Sequence, residues 1–195
     1  MHDEHSDHKP VEQLVAGCIA GDRRCQHDFF RAYHDRIFGF ACHFLGPGFD
    51  FDDVVQQVFI RLFKSLGSFK GTASLDTWVY RIASNVCTDQ LRNKYRKRRL
   101  DIVVDSDEQA CDAQIPEYDN PYGSMERKEL AIRISRALAL LSEEKRTVIV
   151  MHEMEHAPLE QIADVIRKPV GTVKSRLFHA RKELQKHLSK YLDAL

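Results

Sequence analysis

The chain has 195 residues, room for one domain or two small ones, and its 43% hydrophobic and 30% charged residues suit a soluble globular protein and exclude disorder throughout. No apolar run approaches the ~18–20 residues that span a bilayer, and the N-terminal stretch carries histidine and acid where a secretory signal needs a basic segment and an apolar core. Formal net charge is zero, but that zero sums opposed blocks: RNKYRKRR at 92–99 has six basic residues in eight, 100–129 has nine acids against Arg127 and Lys128, and basic residues dominate again over 168–190.

Local rather than total charge attracts phosphate, so neutrality does not argue against a nucleic-acid partner. The five cysteines (Cys18, Cys25, Cys42, Cys87, Cys111) are scattered and form no C-x-x-C pair, which points away from a disulfide framework or a cysteine zinc site and toward a reducing cytoplasm.

In chain order, apolar residues recur at helical spacing almost everywhere and no alternating strand stands out, so the expected class is all-α. His2, His5 and His8 open the chain at three-residue spacing. Three imidazoles suit weak binding of Ni, Co, Cu or Zn, but a disordered polar tail explains them as well, and residues 1–10 are read as a flexible tail with no metal site. An amphipathic helix is expected over about 28–44, ended by Gly46, Pro47 and Gly48. A second follows, with Val54, Val55, Val58, Phe59, Leu62, Phe63 and Leu66 on one face and Asp52, Asp53, Gln56, Gln57, Arg61 and Lys64 on the other. The polar face is acidic and amide-rich, unsuited to DNA. A solvated face is the usual account of it, but a protein partner is favoured here.

A third helix begins near Thr77 and runs into the basic block, with Val79, Ile82, Ala83, Val86 and Gln90 or Leu91 inward. A separate stripe of Trp78, Arg81, Asn85, Thr88, Asp89 and Arg92 mixes an aromatic, an amide and cations. Aromatic and guanidinium planes stack on unpaired bases while a basic track holds phosphates. The preceding small-residue loop, Lys70, Gly71, Thr72, Ala73 and Ser74, has the composition of a pocket for one extruded base, whose capture offsets part of the unstacking cost. Trp78 as a plain core residue is the competing reading.

Helical periodicity fails from about 100 to 124, where Pro116, Pro121, Gly123 and most of the acids lie, the composition of a tether. The expected layout is two small helical domains, 11–97 and 126–195, joined by an acidic flexible linker over 98–125. In the second domain Ser142 is a good N-cap with Glu143 and Glu144 in the first turn. The segment APLEQIADVIRKPVGTVKSRLFHARKEL reads as two helices around a short turn. Pro158 suits the first turn, Ile162, Ala163 and Ile166 are buried, Pro169 marks the break, and Val173, Leu177 and Ala180 point inward. Lys174, Ser175, Arg176, His179, Arg181 and Lys182 occupy the other faces. This is a helix-turn-helix that offers donors to the major groove; a helical hairpin with a solvated basic face is the alternative.

With these residues in view, the chain resembles the extracytoplasmic-function (ECF) sigma factors, the smallest members of the bacterial sigma-seventy family. The resemblance covers roughly residues 12–97 and 126–190. FDDVVQQVFIRLF is similar to the family's helix that grips the β′ coiled coil of RNA polymerase, TWVYRIASNVCTDQLR to its −10 recognition and melting segment, and GTVKSRLFHARKEL to its −35 helix. The resemblance implies a transcription initiation factor with no catalysis and no cofactor. It implies core polymerase (β′ and β subunits), promoter DNA and an anti-sigma factor, often membrane-bound, as partners, and a place among stress-response regulators. It implies that Asp52, Asp53, Gln56, Gln57 and Phe59 dock polymerase. Trp78, Arg81, Asn85, Asp89 and Arg92, with the 70–74 loop taking a flipped base, would contact −10 DNA, and Thr172, Lys174, Ser175, Arg176, Phe178, His179, Arg181 and Lys182 would read or clamp −35 DNA. Two departures stand out: Arg167 replaces the usual glycine of the turn, and His179 replaces a more usual arginine. A stand-alone helix-turn-helix regulator is the alternative, but it has no need of the Trp78–Arg92 stripe beside an acidic face. An enzyme is not supported: the sequence carries no phosphate-cradling glycine loop, no H-E-x-x-H and no nucleophile elbow.

Overall fold

The computed structural model describes residues 11–46, 48–101 and 125–192; the histidine-rich start and most of the acidic linker lie outside the described residues. Within them the chain forms eight α-helices and no strand: α1 (Val11–Ile19), α2 (Arg23–Leu45), α3 (Phe51–Ser65), α4 (Leu75–Asp101), α5 (Met125–Ala139), α6 (Glu143–Ile149), α7 (Leu159–Ile166) and α8 (Val170–Leu192). A 3₁₀ turn (Leu66–Ser68) closes α3, and α6 passes into a π turn (Val150–Met154). No helix among the described residues is long and apolar enough to cross a membrane.

Local chemistry sets the helix ends. The Asp22 carboxylate accepts from Arg24 N–H at 2.8 Å and starts α2, five residues earlier than periodicity suggested. Gly46 stops it at φ 69°, in the left-handed region where a β-carbon is penalised. Asp50 caps α3 by accepting from Asp53 N–H at 3.0 Å, and Asp52 and Asp53 in the first turn with Lys64 in the last complement the helix dipole. The Ser74 hydroxyl accepts from Thr77 N–H at 3.1 Å, the bond of an N-cap, so α4 begins at Leu75. Ser142 takes the extended N-cap backbone of α6, but its hydroxyl makes no capping bond.

In the N-terminal half, α2 packs on α1, α3 and α4, and α3 packs on α4. The predicted apolar face of α3 is buried at Val54, Val55, Val58, Phe59, Leu62 and Leu66. In the C-terminal half, α8 is the central element, with α5, α6 and α7 against it. The halves also meet: α2 packs on α5 and on the π turn, and α4 packs on α7, so one hydrophobic core runs through both.

Where they meet, Arg146 is buried to 2% exposure. One guanidinium nitrogen donates to the Phe44 carbonyl of α2 at 3.0 Å, and the other donates to the Ala139 and Leu141 carbonyls at 2.6 and 3.0 Å. The Phe44 and Ala139 carbonyls lie in the last turns of α2 and α5, where intrahelical partners run out and negative partial charge collects, and Leu141 lies in the bend between α5 and α6. The face of the Phe44 ring lies 5.6 Å from the same group. Arg146→Ala leaves the three carbonyls in a dry site, and each unsatisfied buried acceptor costs on the order of 1 kcal/mol or more. The expected loss is about 3 kcal/mol, read by urea unfolding followed by circular dichroism; a loss below about 1 kcal/mol would show that the carbonyls find other partners.

Candidate nucleic-acid interface

On α3, Asp52, Asp53 and Gln56 are exposed as expected. Gln57 is half-buried: its amide donates to Asp53 at 2.7 Å and accepts from Gln90 of α4 at 2.8 Å. A second link between these helices is the ion pair of Arg61 and Asp89 at 2.8 Å. Phe59 turns inward. It is 5% exposed and its ring packs 4.6 Å from Phe30 and 6.1 Å from Phe63, because it lies on the Val55 and Leu62 side of the helix. The apolar residue on the open side is its neighbour Ile60, 45% exposed.

Along α4, Val79, Ala83, Val86 and Leu91 are buried, as periodicity indicated, but so are Tyr80 and Cys87. Trp78 is half-buried and packs against the core, its ring 5.5 Å from that of Phe69. In that loop Lys70, Gly71, Thr72 and Ser74 are exposed and Ala73 is half-buried. Gly71 has φ 69°, and the Ser74 hydroxyl is held 2.8 Å from that of Thr77. Asn85 is open to solvent and Thr88 half-buried. Arg81 donates to the Asp164 carbonyl of α7 at 2.7 Å, and burial, followed by the nearby Arg167 charge, pushes its pKa below the usual guanidinium value. Arg92 pairs with Glu143 at 3.1 Å. Asp89, paired with Arg61, is an acid among these cations.

α7 and α8 form the two helices of the predicted helix-turn-helix. Ile162 and Ala163 are buried with Val165, while Ile166 is half-buried, and Val173, Leu177 and Ala180 face inward. Thr172, in the first turn of α8, is half-buried, its N–H on the Pro169 carbonyl at 2.9 Å. Lys174, Ser175, Phe178, His179, Arg181 and Lys182 are exposed. Phe178 stands out at 64% exposure, with the His179 ring 5.4 Å away; an apolar group so placed suits a thymine methyl. Arg176 pairs with Glu144 at 2.6 Å, and Arg181 Nε donates to Glu153 at 2.8 Å. Among the described residues, no three His, Cys, Asp or Glu side chains gather into a group that could hold a metal ion.

Two sequence families match the chain: Sigma-70 region 2 over residues 29–97 and Sigma-70, region 4 over residues 131–184. The chain is 34% identical to RNA polymerase sigma-H factor of Pseudomonas aeruginosa, over 93% of this chain and 95% of that protein. It is 31% identical to ECF RNA polymerase sigma factor SigW of Bacillus subtilis, over 91% and 96%. The chain belongs to the ECF RNA polymerase sigma factors. The family is one of transcription initiation factors. The fold agrees: the sigma factor RpoE from Bartonella quintana, solved with the anti-sigma factor NepR, superposes with a TM-score of 0.63 at 23% identity, over 83% of this chain and 97% of that one.

The turn of this sigma factor keeps a left-handed residue without the usual glycine. Arg167 sits at φ 53°, ψ 50°, with its N–H on the Ala163 carbonyl, and Lys168 N–H reaches the same carbonyl at 3.0 Å. The glycine-like geometry is preserved and the arginine bears the strain. Sequence reasoning also missed the Tyr80 hydroxyl, which donates to Glu155 at 2.5 Å. Burial, then the Glu155 bond, hold its pKa above the usual phenol value. A tyrosine beside rather than on the apolar stripe of α4 was the available signal. For the turn, left-handed backbone costs a side-chain-bearing residue roughly 1–2 kcal/mol, and glycine's greater unfolded-state freedom returns about half of that. Arg167→Gly is therefore expected to raise stability by about 0.5–1 kcal/mol in thermal unfolding; destabilisation would mean that the Arg167 side chain contributes more than its backbone costs.

Proposed function

We propose that this sigma factor docks core RNA polymerase through the outer face of α3, with Asp52, Asp53, Gln56 and Gln57, and that Ile60 rather than Phe59 supplies its apolar contact. The docked α3 carries α4 to the −10 element, where Arg81, Asn85 and Arg92 face the DNA, Trp78 supports the 70–74 loop, and the loop receives a flipped base. Asp89 positions Arg61 rather than meeting phosphate. α8 reads the −35 element through Thr172, Lys174, Ser175, Phe178 and His179, with Arg176, Arg181 and Lys182 toward the backbone. Residues 11–97 and 126–195 act as the two promoter-reading domains, and 98–125 as the acidic tether between them. The chain works in the cytoplasm, where polymerase and promoters are, and catalyses nothing itself. An anti-sigma factor controls it, as NepR binds RpoE.

The observation that carries this reading is the cross-bracing of α3 to α4 by Gln57–Gln90 at 2.8 Å and Arg61–Asp89 at 2.8 Å. It makes one rigid pair of an acidic, amide-rich face and a helix that runs into the basic block, so that a protein holding the first sets the position of the second. Mixing the chain with sigma-free bacterial core polymerase and a promoter fragment, and reading strand opening by permanganate, tests it. Opening is expected only with both proteins. Asp53→Ala with Gln57→Ala should reduce it at least tenfold at limiting core, and Phe178→Ala should weaken promoter capture while leaving core binding unchanged. Tight duplex binding by the chain alone, with no opening when polymerase is added, would leave a stand-alone regulator instead.

A further inference from the structure

The 70–74 loop, to which the proposed function assigns the flipped base, is exposed over most of its length, yet both of its ends are fixed. Phe69 before it and Trp78 after it bring their rings to 5.5 Å, and Leu66 and Leu75 on either side are buried. At the exit, the Ser74 hydroxyl caps the Thr77 N–H at 3.1 Å, and the Ser74 carbonyl accepts from the Trp78 N–H at 3.1 Å. A further fastening comes from α2, 40 residues earlier in the chain. The Asp76 carboxylate, in the first turn of α4, accepts from the Tyr33 hydroxyl at 2.7 Å and from both terminal nitrogens of Arg36 at 3.2 and 2.9 Å.

The Arg36 and Asp76 side chains are 42% and 40% accessible, and a pair so open ordinarily contributes little. Its geometry sets this one apart. A forked guanidinium–carboxylate pair fixes orientation as well as distance, and the guanidinium lies 5.4 Å from the centroids of both the Tyr33 and Tyr80 rings. Tyr33, which shares the carboxylate, is buried. Burial, then the Asp76 bond, hold its pKa above the usual phenol value, so its hydroxyl stays a donor. The Asp76 charge also sits favourably at the start of a helix, but α4 does not need it there, because Ser74 already supplies the cap. What the carboxylate adds is a fixed seat on α2 for the end of the loop.

We propose that Asp76 is a positioning residue for strand opening: bound to Tyr33 and Arg36, it holds the exit of the 70–74 loop on α2, so that the loop is already ordered when the flipped base arrives. The inference rests on the proposed assignment of the flipped base to this loop. A loop left free would have to be ordered at the moment of capture, and fixing the backbone of even one residue costs a factor of roughly five or more. Asp76 acts through Ser74 and the loop rather than on the DNA itself.

The test uses the full chain. Trp78 is its only tryptophan, so acrylamide quenching of the emission reads the order of this segment without polymerase. With sigma-free core polymerase and a promoter fragment, permanganate reactivity gives the opening rate at saturating core and the core concentration for half-maximal rate. Asp76→Asn keeps the shape and removes the charge; Tyr33→Phe keeps the ring and removes one bond; Asp35→Asn, at an acid 88% accessible on α2, controls for the lost charge. Asp76→Asn is expected to quench more readily and to open roughly fivefold more slowly, with the half-saturating core concentration unchanged. Tyr33→Phe should fall between it and wild type, and Asp35→Asn should match wild type. When an abasic residue is walked through the non-template strand of the −10 element, the gap between wild type and Asp76→Asn should vanish at one position, that of the captured base. A general loss of structure would keep the gap at every position. Circular dichroism confirms that the variants are folded; should Asp76→Asn unfold, Tyr33→Phe carries the comparison. Unchanged Trp78 quenching would overturn the ordering of the loop, and equal opening rates, or a deficit that persists at every abasic position, would overturn its role in capture. Wild-type opening without any deficit in the variants sinks the positioning role alone, whereas no opening by wild type with core polymerase sinks the proposed function and this role with it.

Discussion

The guanidinium of Arg146 joins carbonyls that belong to different halves of the chain, and much of the arrangement depends on that bond set. A buried cation needs acceptors, and helix ends supply carbonyls that have lost their intrahelical partners. By taking Ala139 and Leu141, Arg146 fixes the corner between α5 and α6; by taking Phe44, it brings the end of α2 to the same corner. With α2 seated there, the π turn that continues α6 lies against α2, and α7, which follows the turn, reaches α4. The left-handed His156, at φ 51°, reverses the chain between π turn and α7, with the Ala157 N–H on the Met151 carbonyl at 2.9 Å.

The fold class and the inward faces of α3, α7 and α8 were legible in the sequence because each of those helices packs mainly on one side, and a 3.6-residue period reports one side well. α4 is different. Its stripe of Val79, Ala83 and Val86 was readable, but Tyr80 and Cys87 are buried as well, and the Tyr80 ring, packed on Phe40 of α2, bonds Glu155 some 75 residues further along the chain. Periodicity carries no information about a packing partner that distant. Arg146 was invisible for a related reason: within EEKRTVIV it looks like one more cation in an amphipathic segment, and only the convergence of three helix ends gives it a buried role.

The site was legible to a different depth. Residue type and spacing placed Asp52, Asp53, Gln56, Lys174, Ser175 and Lys182 on open faces, where they are. The resemblance counts Phe59 among the polymerase-docking residues, while its own position in the Val55–Leu62 stripe points inward, and packing follows the stripe. Residue type and spacing allow Trp78 either core or surface, and its half-buried ring against Phe69 answers to both descriptions. At Arg167 a side chain stands where the resemblance expects glycine, and the left-handed backbone is kept all the same. The backbone chose strain because the left-handed turn lets the Arg167 and Lys168 N–H groups close the Ala163 carbonyl.

Zero net charge also takes on a spatial meaning. Glu143 and Glu144 first appear as dipole partners at the start of α6, yet these two adjacent acids reach in different directions, Glu143 to Arg92 of α4 and Glu144 to Arg176 of α8. Each of the two helices proposed to read DNA thus has a cation held by the same helix turn. The Arg92–Glu143 pair is open to solvent and Glu144 is exposed beside a half-buried Arg176, and pairs so near the surface add little to stability, on the order of 0–1 kcal/mol, so stability alone is a weak account of them. Their larger effect is on competition: a phosphate approaching Arg92 or Arg176 must displace a carboxylate already in place, which lowers affinity for any polyanion and lowers it least where many cations act together on a matched site. Part of the acid that cancels the basic blocks in the total thus lies directly on cations of α4 and α8.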